Sequence, residues 1–229
     1  MPQLPCAPPM DRAIQVAARI ESILSVLKRR DEHTAVHAER TAHVAMLLGQ
    51  AAGLEQDQQY VLATAALLHD IGKLSVPMRI LEFRGRLGGD DWVRMQGHSA
   101  VGARIVQELH LPLGDDIAQA VRHHHESVDG SGYPDRLKGD EIVLPARIIS
   151  LADAYDAISS ARSYHRQRSH EETMDILAGE VGRKCDGPLF ELFRTEVVPR
   201  LLEPAVAASD PTKTAQQAIE RYCRAAMTH

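Results

Sequence analysis

The sequence predicts an all-helical fold, and three observations predict it. Apolar residues recur at helical spacing along most of the chain. No stretch alternates apolar and polar residues as a half-buried strand would. Aromatic residues make up 4% of the chain and apolar residues 44%, so the core must be built from Ala, Leu, Ile and Val, a mixture that favours helices over strands.

The elements follow in order. Residues 1–10 are Pro-rich and read as disordered. Over residues 11–30, Ile14, Ala17, Ala18, Ile20, Ile23, Leu24 and Leu27 form an apolar helical stripe that Asp11 can cap. A second helix is expected over 32–52, ending at Gly53, and a third over 57–69, with Gly72 as its stop. Residues 70–90, with Pro77, Gly85, Gly88 and Gly89, read as irregular. Helices are then expected over 90–97, 99–110 and 115–126, followed by a glycine-rich turn at 129–134. Pro145 can open a long helix to about 160. The last helices fall near 170–181, 187–203 and 211–227, and no internal repeat is visible.

At 229 residues, the chain suits one domain with a tail. The boundaries read as a disordered start plus a connector or dimer helix over 1–30, a catalytic domain over 31–205 and a helical tail over 206–229. The net charge of -5 argues against bulk DNA binding, which needs a basic excess. Cys6, Cys185 and Cys223 have no CxxC spacing and suit reduced thiols in a cytoplasmic protein. The first residues lack the basic and apolar regions of a signal peptide. The longest uncharged apolar run, Val61 to Leu68, is far too short for a membrane span.

The histidines are the unusual feature: there are 12, and most lie between His33 and His125. His69-Asp70 closes an apolar helix. His37 lies on the helix before it, and His98 is expected at a helix junction. His124-His125 precede Glu126, and Asp153 sits on an otherwise apolar helix. Each has a plain reading alone. Asp70 can be a cap, the His123–His125 run an exposed helix end, and Asp153 a buried, hydrogen-bonded carboxylate. Together they can converge on one site. Imidazole and carboxylate suit divalent iron, manganese or zinc, and the absence of cysteine argues against a structural zinc site.

The motifs resemble those of the HD-GYP family. His69-Asp70-Ile71-Gly72-Lys73 matches the H-D-x-G-K of the HD superfamily. His124-His125-Glu126, followed by Asp129-Gly130-Ser131-Gly132-Tyr133-Pro134, matches the H-H-E-x-x-D-G-x-G-Y-P signature of the HD-GYP branch. The segment from His98 to Gly102 resembles its H-P-x-x-G, and Ala152 to Ala157 its A-D-x-Y-D-A. The resemblance runs in order from about His37 to Phe190.

It implies an HD-domain helical bundle with an HD-GYP C-terminal extension, acting as a phosphodiesterase that opens cyclic di-GMP to linear pGpG, and on to GMP. It implies two divalent transition metals, iron or manganese, with His37, His69, Asp70, His98, His124, His125 and Asp153 as ligands and Asp70 bridging. Lys73 is implied as the electrophile beside the scissile phosphate. Gly132 and Tyr133 are implied at the nucleotide-binding loop, and Arg162 at a phosphate or guanine edge. The loop is also the family's contact for diguanylate cyclase domains, so such a domain, or a sensory partner in trans, is an implied partner, and the N-terminal helix leaves room for a homodimer.

The residues agree chemically. A pair of metals activates water and neutralises a phosphodiester. A lysine can stabilise phosphoryl charge in the transition state. Glycines let backbone N–H groups approach an anion, and a tyrosine offers its face to a base. This sequence departs from the family pattern at several places. His33 stands where the family often has an aromatic or acidic residue, one turn before His37, and is a candidate ligand for a third metal. Phe83, Ala161 and His165 replace residues of the usual phosphate clamp, which opens the question of substrate. His43, His110, His165, His170 and His229 read as surface or helix-end residues. Two alternatives stand beside the cyclic di-GMP enzyme: an HD phosphohydrolase for another cyclic dinucleotide, and a binding or docking module whose catalysis has decayed. A decayed module should have lost ligands, and this chain retains the set.

Overall fold

The computed structural model describes residues 9–160, 168–207 and 210–225. Its helices are α1 (Pro9–Arg30), α2 (Glu32–Ala51), α3 (Gln56–Leu68), α4 (Met78–Leu81), α5 (Gly89–Glu108) and α6 (Gly114–His123). They continue with α7 (Leu144–Ser159), α8 (His170–Ala178), α9 (Gly187–Leu192), α10 (Val198–Leu201), α11 (Pro204–Ala207) and α12 (Pro211–Ala225). The all-helical expectation holds. Among the described residues the extended pairing is one isolated bridge, Val181 to Cys185.

α3 is the axis of the bundle. Every residue from Tyr60 to Leu68 is buried, as expected for a helix that is apolar on all sides. α2, α6, α7 and α12 pack around it. The Tyr60 ring stacks on Tyr222 of α12, with centroids 4.0 Å apart. The apolar stripe of α1, through the buried residues Val16, Ile20 and Leu27, lies on α2 and α12, so it is covered within the chain. The helix assigned to a tail likewise buries Ala215, Ala218, Ile219 and Cys223 against α2 and α3.

Several element bounds differ from the sequence reading. Asp11 lies inside α1, which already includes Pro9. His98 is not at a junction. α5 runs unbroken from Gly89 to Glu108, because packing on α6 and on the turn after α3 outweighs the weak helix propensity of Gly97-His98-Ser99. α6 stops at His123, so the two histidines after it leave the helix. Within 70–90 there is order: a 3-10 turn at Ile71–Ser75 and the short α4. The segment expected as one helix over 187–203 is α9 and α10 joined by a π-turn at Phe193–Val197. His43 is half-buried, its Nδ1 3.1 Å from Thr214 Oγ1 of α12, and so joins two helices. Arg162 and His165 lie outside the described residues.

Candidate metal centre

The site forms where the core helix ends. α3 runs through the apolar interior and delivers His69 and Asp70 to its far end, where they are 0% and 2% exposed. The 3-10 turn then reverses the chain against α5. Gly72 makes this approach possible: a Cβ there would lie 1.9 Å from His98 O and 2.6 Å from Gly102 N. The missing side chain sets Asp70 beside His98.

Three histidines are aimed by one device. The Nδ1 of His69 donates to Ala66 O (2.7 Å), that of His98 to Met95 O (2.6 Å) and that of His124 to Val121 O (2.7 Å). A carbonyl oxygen only accepts, so each Nδ1 carries a proton and each ring turns its Nε2 inward. His98 Nε2 and His124 Nε2 face each other at 3.4 Å. The buried His69 Nε2 makes no hydrogen bond. Such an arrangement fits a cation placed among these atoms.

Asp70 connects the two halves of the cluster. Its Oδ1 lies 3.3 Å from His98 Nε2 and its Oδ2 3.4 Å from His69 Nε2. Among the described residues, ligand-capable atoms fall into two groups, each within 4.8 Å: Asp70, His98, His124 and His125, and His37, His69 and Asp70. Asp70 belongs to both. Lys73 Nζ donates to Asp70 Oδ2 at 2.6 Å. Burial alone would raise the Asp70 carboxyl; Lys73, then His69 and His98, hold it well below the usual carboxylate range.

His37 is held from both sides. Its Nδ1 lies 2.6 Å from Asp156 Oδ2 and its Nε2 2.8 Å from Asp153 Oδ1. Burial disfavours its charge, but these carboxylates push its pKa up to about 9. The Asp153 carboxyl is driven down in turn, burial notwithstanding, by His37. In the neighbouring pair the same effect of burial prevails: His124 is pushed well down and His125 to about 3, so both are neutral and able to ligate at neutral pH. The His125 ring tilts against His124 at 4.0 Å and Tyr133 at 4.9 Å.

The structure thus gathers His37, His69, Asp70, His98, His124, His125 and Asp153 at one place. His33 is exposed one turn before His37 and belongs to neither ligand group. Phe83 is exposed on the surface. His123 is engaged away from the cluster, its Nε2 3.0 Å from Asp135 Oδ2.

The sequence reading assigned no role to three further residues. Asp156 aims His37 and is itself gripped by Arg40, with Nε to Oδ1 at 2.7 Å and Nη2 to Oδ2 at 2.9 Å. The signal was in the spacing, since Asp153/Asp156 and His37/Arg40 are both i, i+3 pairs on one helix face. Glu126 is no ligand: its buried carboxylate accepts from the backbone N–H groups of Asp135 (2.7 Å), Arg136 (3.0 Å) and Leu137 (3.2 Å), pinning the Gly-Tyr-Pro loop. Gly132 lets that loop close, because a Cβ there would lie 2.3 Å from Ser127 N. The Tyr133–Pro134 peptide is cis. The loop and α5 enclose a cleft of ≈ 460 Å³ beside the cluster, with Tyr133 on its wall.

The family model for the HD domain matches residues 21–189. The chain belongs to the HD domain family. Its motifs place it in the HD-GYP branch, and the phosphohydrolases of this family are metal-dependent. The 3'3'-cGAMP-specific phosphodiesterase 2 of Vibrio cholerae is 32% identical over 174 residues, covering 76% of this chain and 33% of that protein. The cyclic di-GMP phosphodiesterase response regulator RpfG of Xanthomonas campestris is 36% identical over 179 residues, covering 75% of this chain and 47% of that protein. This HD domain chain therefore spans a third to about half of those curated relatives. The crystal structure of the V. cholerae cyclic GMP-AMP-specific phosphodiesterase V-cGAP3 superposes with a TM-score of 0.66 at 19% identity, over 95% of this chain and 58% of that one. At that identity the likeness carries the fold. Among the described residues, no helix is long and apolar enough to cross a membrane.

Proposed function

We propose that this HD-GYP chain is a metal-dependent phosphodiesterase that hydrolyses cyclic di-GMP. The observation that carries the reading is Asp70, shared between two groups of inward-facing ligands and set beside a glycine-rich loop with a cleft. His98, His124, His125 and Asp70 would hold one cation, and His37, His69, Asp153 and Asp70 a second. Iron and manganese suit this all-His/Asp set; the exposed His33 is the candidate ligand for a third. When bound, such a pair supplies a nucleophile from water near neutral pH and neutralises the phosphodiester.

The chain's own residues do the rest. Lys73, tied to Asp70, brings a positive charge to the developing phosphoryl oxygens. The loop at Gly132 and Tyr133 holds the nucleotide, and Arg162 serves a phosphate or guanine edge. One P–O3′ bond breaks as the water oxygen joins phosphorus, giving linear pGpG; a second round gives GMP. Relatives named as 3'3'-cGAMP-specific favour one second reading, the same chemistry on a mixed cyclic dinucleotide.

Two buried free thiols, Cys185 and Cys223, suit a cytoplasmic setting. The loop tip, exposed at Asp129 and Ser131, is the surface for a diguanylate cyclase domain or sensory partner. Gel filtration with and without such a domain tests this contact and homodimer formation together.

The deciding experiment is metal analysis of anaerobically purified protein paired with hydrolysis of cyclic di-GMP, 3'3'-cGAMP and cyclic di-AMP, with product identification. We expect at least two transition metals per chain, turnover of cyclic di-GMP, and loss of turnover in Asp70→Ala with the fold kept. Less than one metal per chain after iron- or manganese-supplemented expression, or a fully active Asp70→Ala enzyme, overturns the reading.

A further inference from the structure

The cleft beside the metal centre holds a residue in an unusual conformation. Arg136 has φ 59°, the left-handed region that L-residues with a Cβ avoid and glycine enters freely. Strained positions of this kind concentrate at ligand clamps, where the surroundings enforce them. Here the enforcing group is Glu126, whose Oε1 accepts from the Arg136 N–H. The side chain this backbone presents lines the cleft with Val93, Gln96, Ala100, Gly132 and Tyr133.

The cleft has the make-up of a nucleobase pocket. Its volume, ≈ 460 Å³, lies in the range of roughly 300–1,000 Å³ usual for small-molecule sites. Its walls are mostly apolar or aromatic. Tyr133 supplies a ring, and Trp92 meets that ring edge-on at 6.2 Å while remaining exposed. Two of its polar side chains are uncommitted: among the described residues no carboxylate pairs with the Arg136 guanidinium, and the Gln96 side-chain amide makes no hydrogen bond. A surface arginine near acids pairs readily, as Arg122 does with Asp135. The cleft adjoins the cluster through Tyr133 against His125 and Gly97 beside His98. A phosphate at the metal centre would place an attached base here.

We propose that Arg136 is a specificity-determining residue that reads the O6/N7 edge of a guanine seated in this cleft, with Tyr133 as its stacking platform and Gln96 as a second polar contact. Guanine presents two adjacent acceptors that the planar guanidinium fork meets bidentately, whereas adenine presents a donor at one of those places. The inference rests on the cyclic-dinucleotide reading above and adds to it which base the chain selects, and with which residue.

The test is Arg136→Gly, the substitution that removes the guanidinium and suits the backbone, so the fold is expected to survive; an unchanged melting temperature and metal content check this. Cyclic di-GMP and cyclic di-AMP are compared as kcat/KM on wild type and variant. We expect the wild type to prefer cyclic di-GMP and the variant to lose about tenfold or more of that preference, chiefly through KM. An equal loss on both substrates would mean that Arg136 grips a phosphate, and an unchanged preference that it faces solvent; either result overturns the proposal. If the wild type hydrolyses neither compound, the phosphodiesterase reading fails separately. Calorimetric binding of the same two compounds then decides the present inference: guanine preference lost in Arg136→Gly supports it, and equal affinities in the wild type refute it.

Discussion

Gly72→Ala tests whether the site depends on backbone contact between the turn after α3 and α5. The added Cβ would lie 1.9 Å from His98 O, 2.6 Å from Gly102 N and 2.8 Å from His98 C, where real Cβ atoms stay beyond 3.0 Å. All three neighbours are backbone, so no rotamer change relieves the clash. Raising 1.9 Å to 3.0 Å demands a displacement of about 1.1 Å between the Gly72 backbone and His98. Overpacking of this kind costs about 1–3 kcal/mol, or a fall in melting temperature of roughly 2–12 °C for a domain of this size. The chemistry should suffer more. A misplacement of about 1 Å typically costs about 10²-fold, and here it would move Asp70, two residues from Gly72, relative to His98. The assay is a melting curve, metal content and hydrolysis rate on one preparation, with Gly114→Ala as control, since a Cβ at Gly114 has no neighbour within 4 Å. A Gly72→Ala protein with wild-type metal content and at least half the wild-type rate would refute the account.

Asp156→Asn keeps the shape but removes the charge that faces His37 and Arg40; we expect metal affinity to fall about 10–100-fold, read as the chelator concentration that strips half the metal, and an unchanged value would count against the aiming role. Lys73→Ala should retain metal and fold while kcat falls roughly 10²-fold; near-normal kcat in the metal-loaded variant would show the lysine to be only the partner of Asp70. Acidification should destabilise the chelated protein. His125, buried and neutral, has its pKa depressed to about 3 against about 6.5 when unfolded, so below pH 6.5 the unfolded chain takes up a proton that the folded chain refuses. The lost stability should reach on the order of 2 kcal/mol by pH 5, and His124 acts in the same direction. The His37 contribution has the opposite sign: its raised pKa, about 9, stabilises below pH 6.5 and is lost as pH rises through 9. Equal melting temperatures at pH 7 and pH 5 would contradict the burial of the two neighbouring histidines.

The sequence by itself determined the helical class, most helix positions and which histidines and aspartates were worth watching, because these are local or compositional facts. Helical periodicity survives in any register of the final fold, and His69-Asp70 or His124-His125 announce themselves as motifs. What the tertiary structure decided is how those residues meet. That His98 lies inside one long helix, and not at a junction, follows from packing against α6 and the turn at Gly72, which local propensity does not contain. The aim of the histidines depends on backbone carbonyls at Ala66, Met95 and Val121, invisible as residue types. Asp156 and Arg40 acquire a role only because α7 crosses α2, over a sequence separation of 116 residues. Glu126 follows two histidines in the motif with no role the sequence shows, and three backbone N–H groups claim its carboxylate. Arg136, exposed and with a left-handed backbone, lines the cleft only because the loop carries it there. A sequence carries the chemistry of each side chain; the direction in which that chemistry points is a property of the packed backbone.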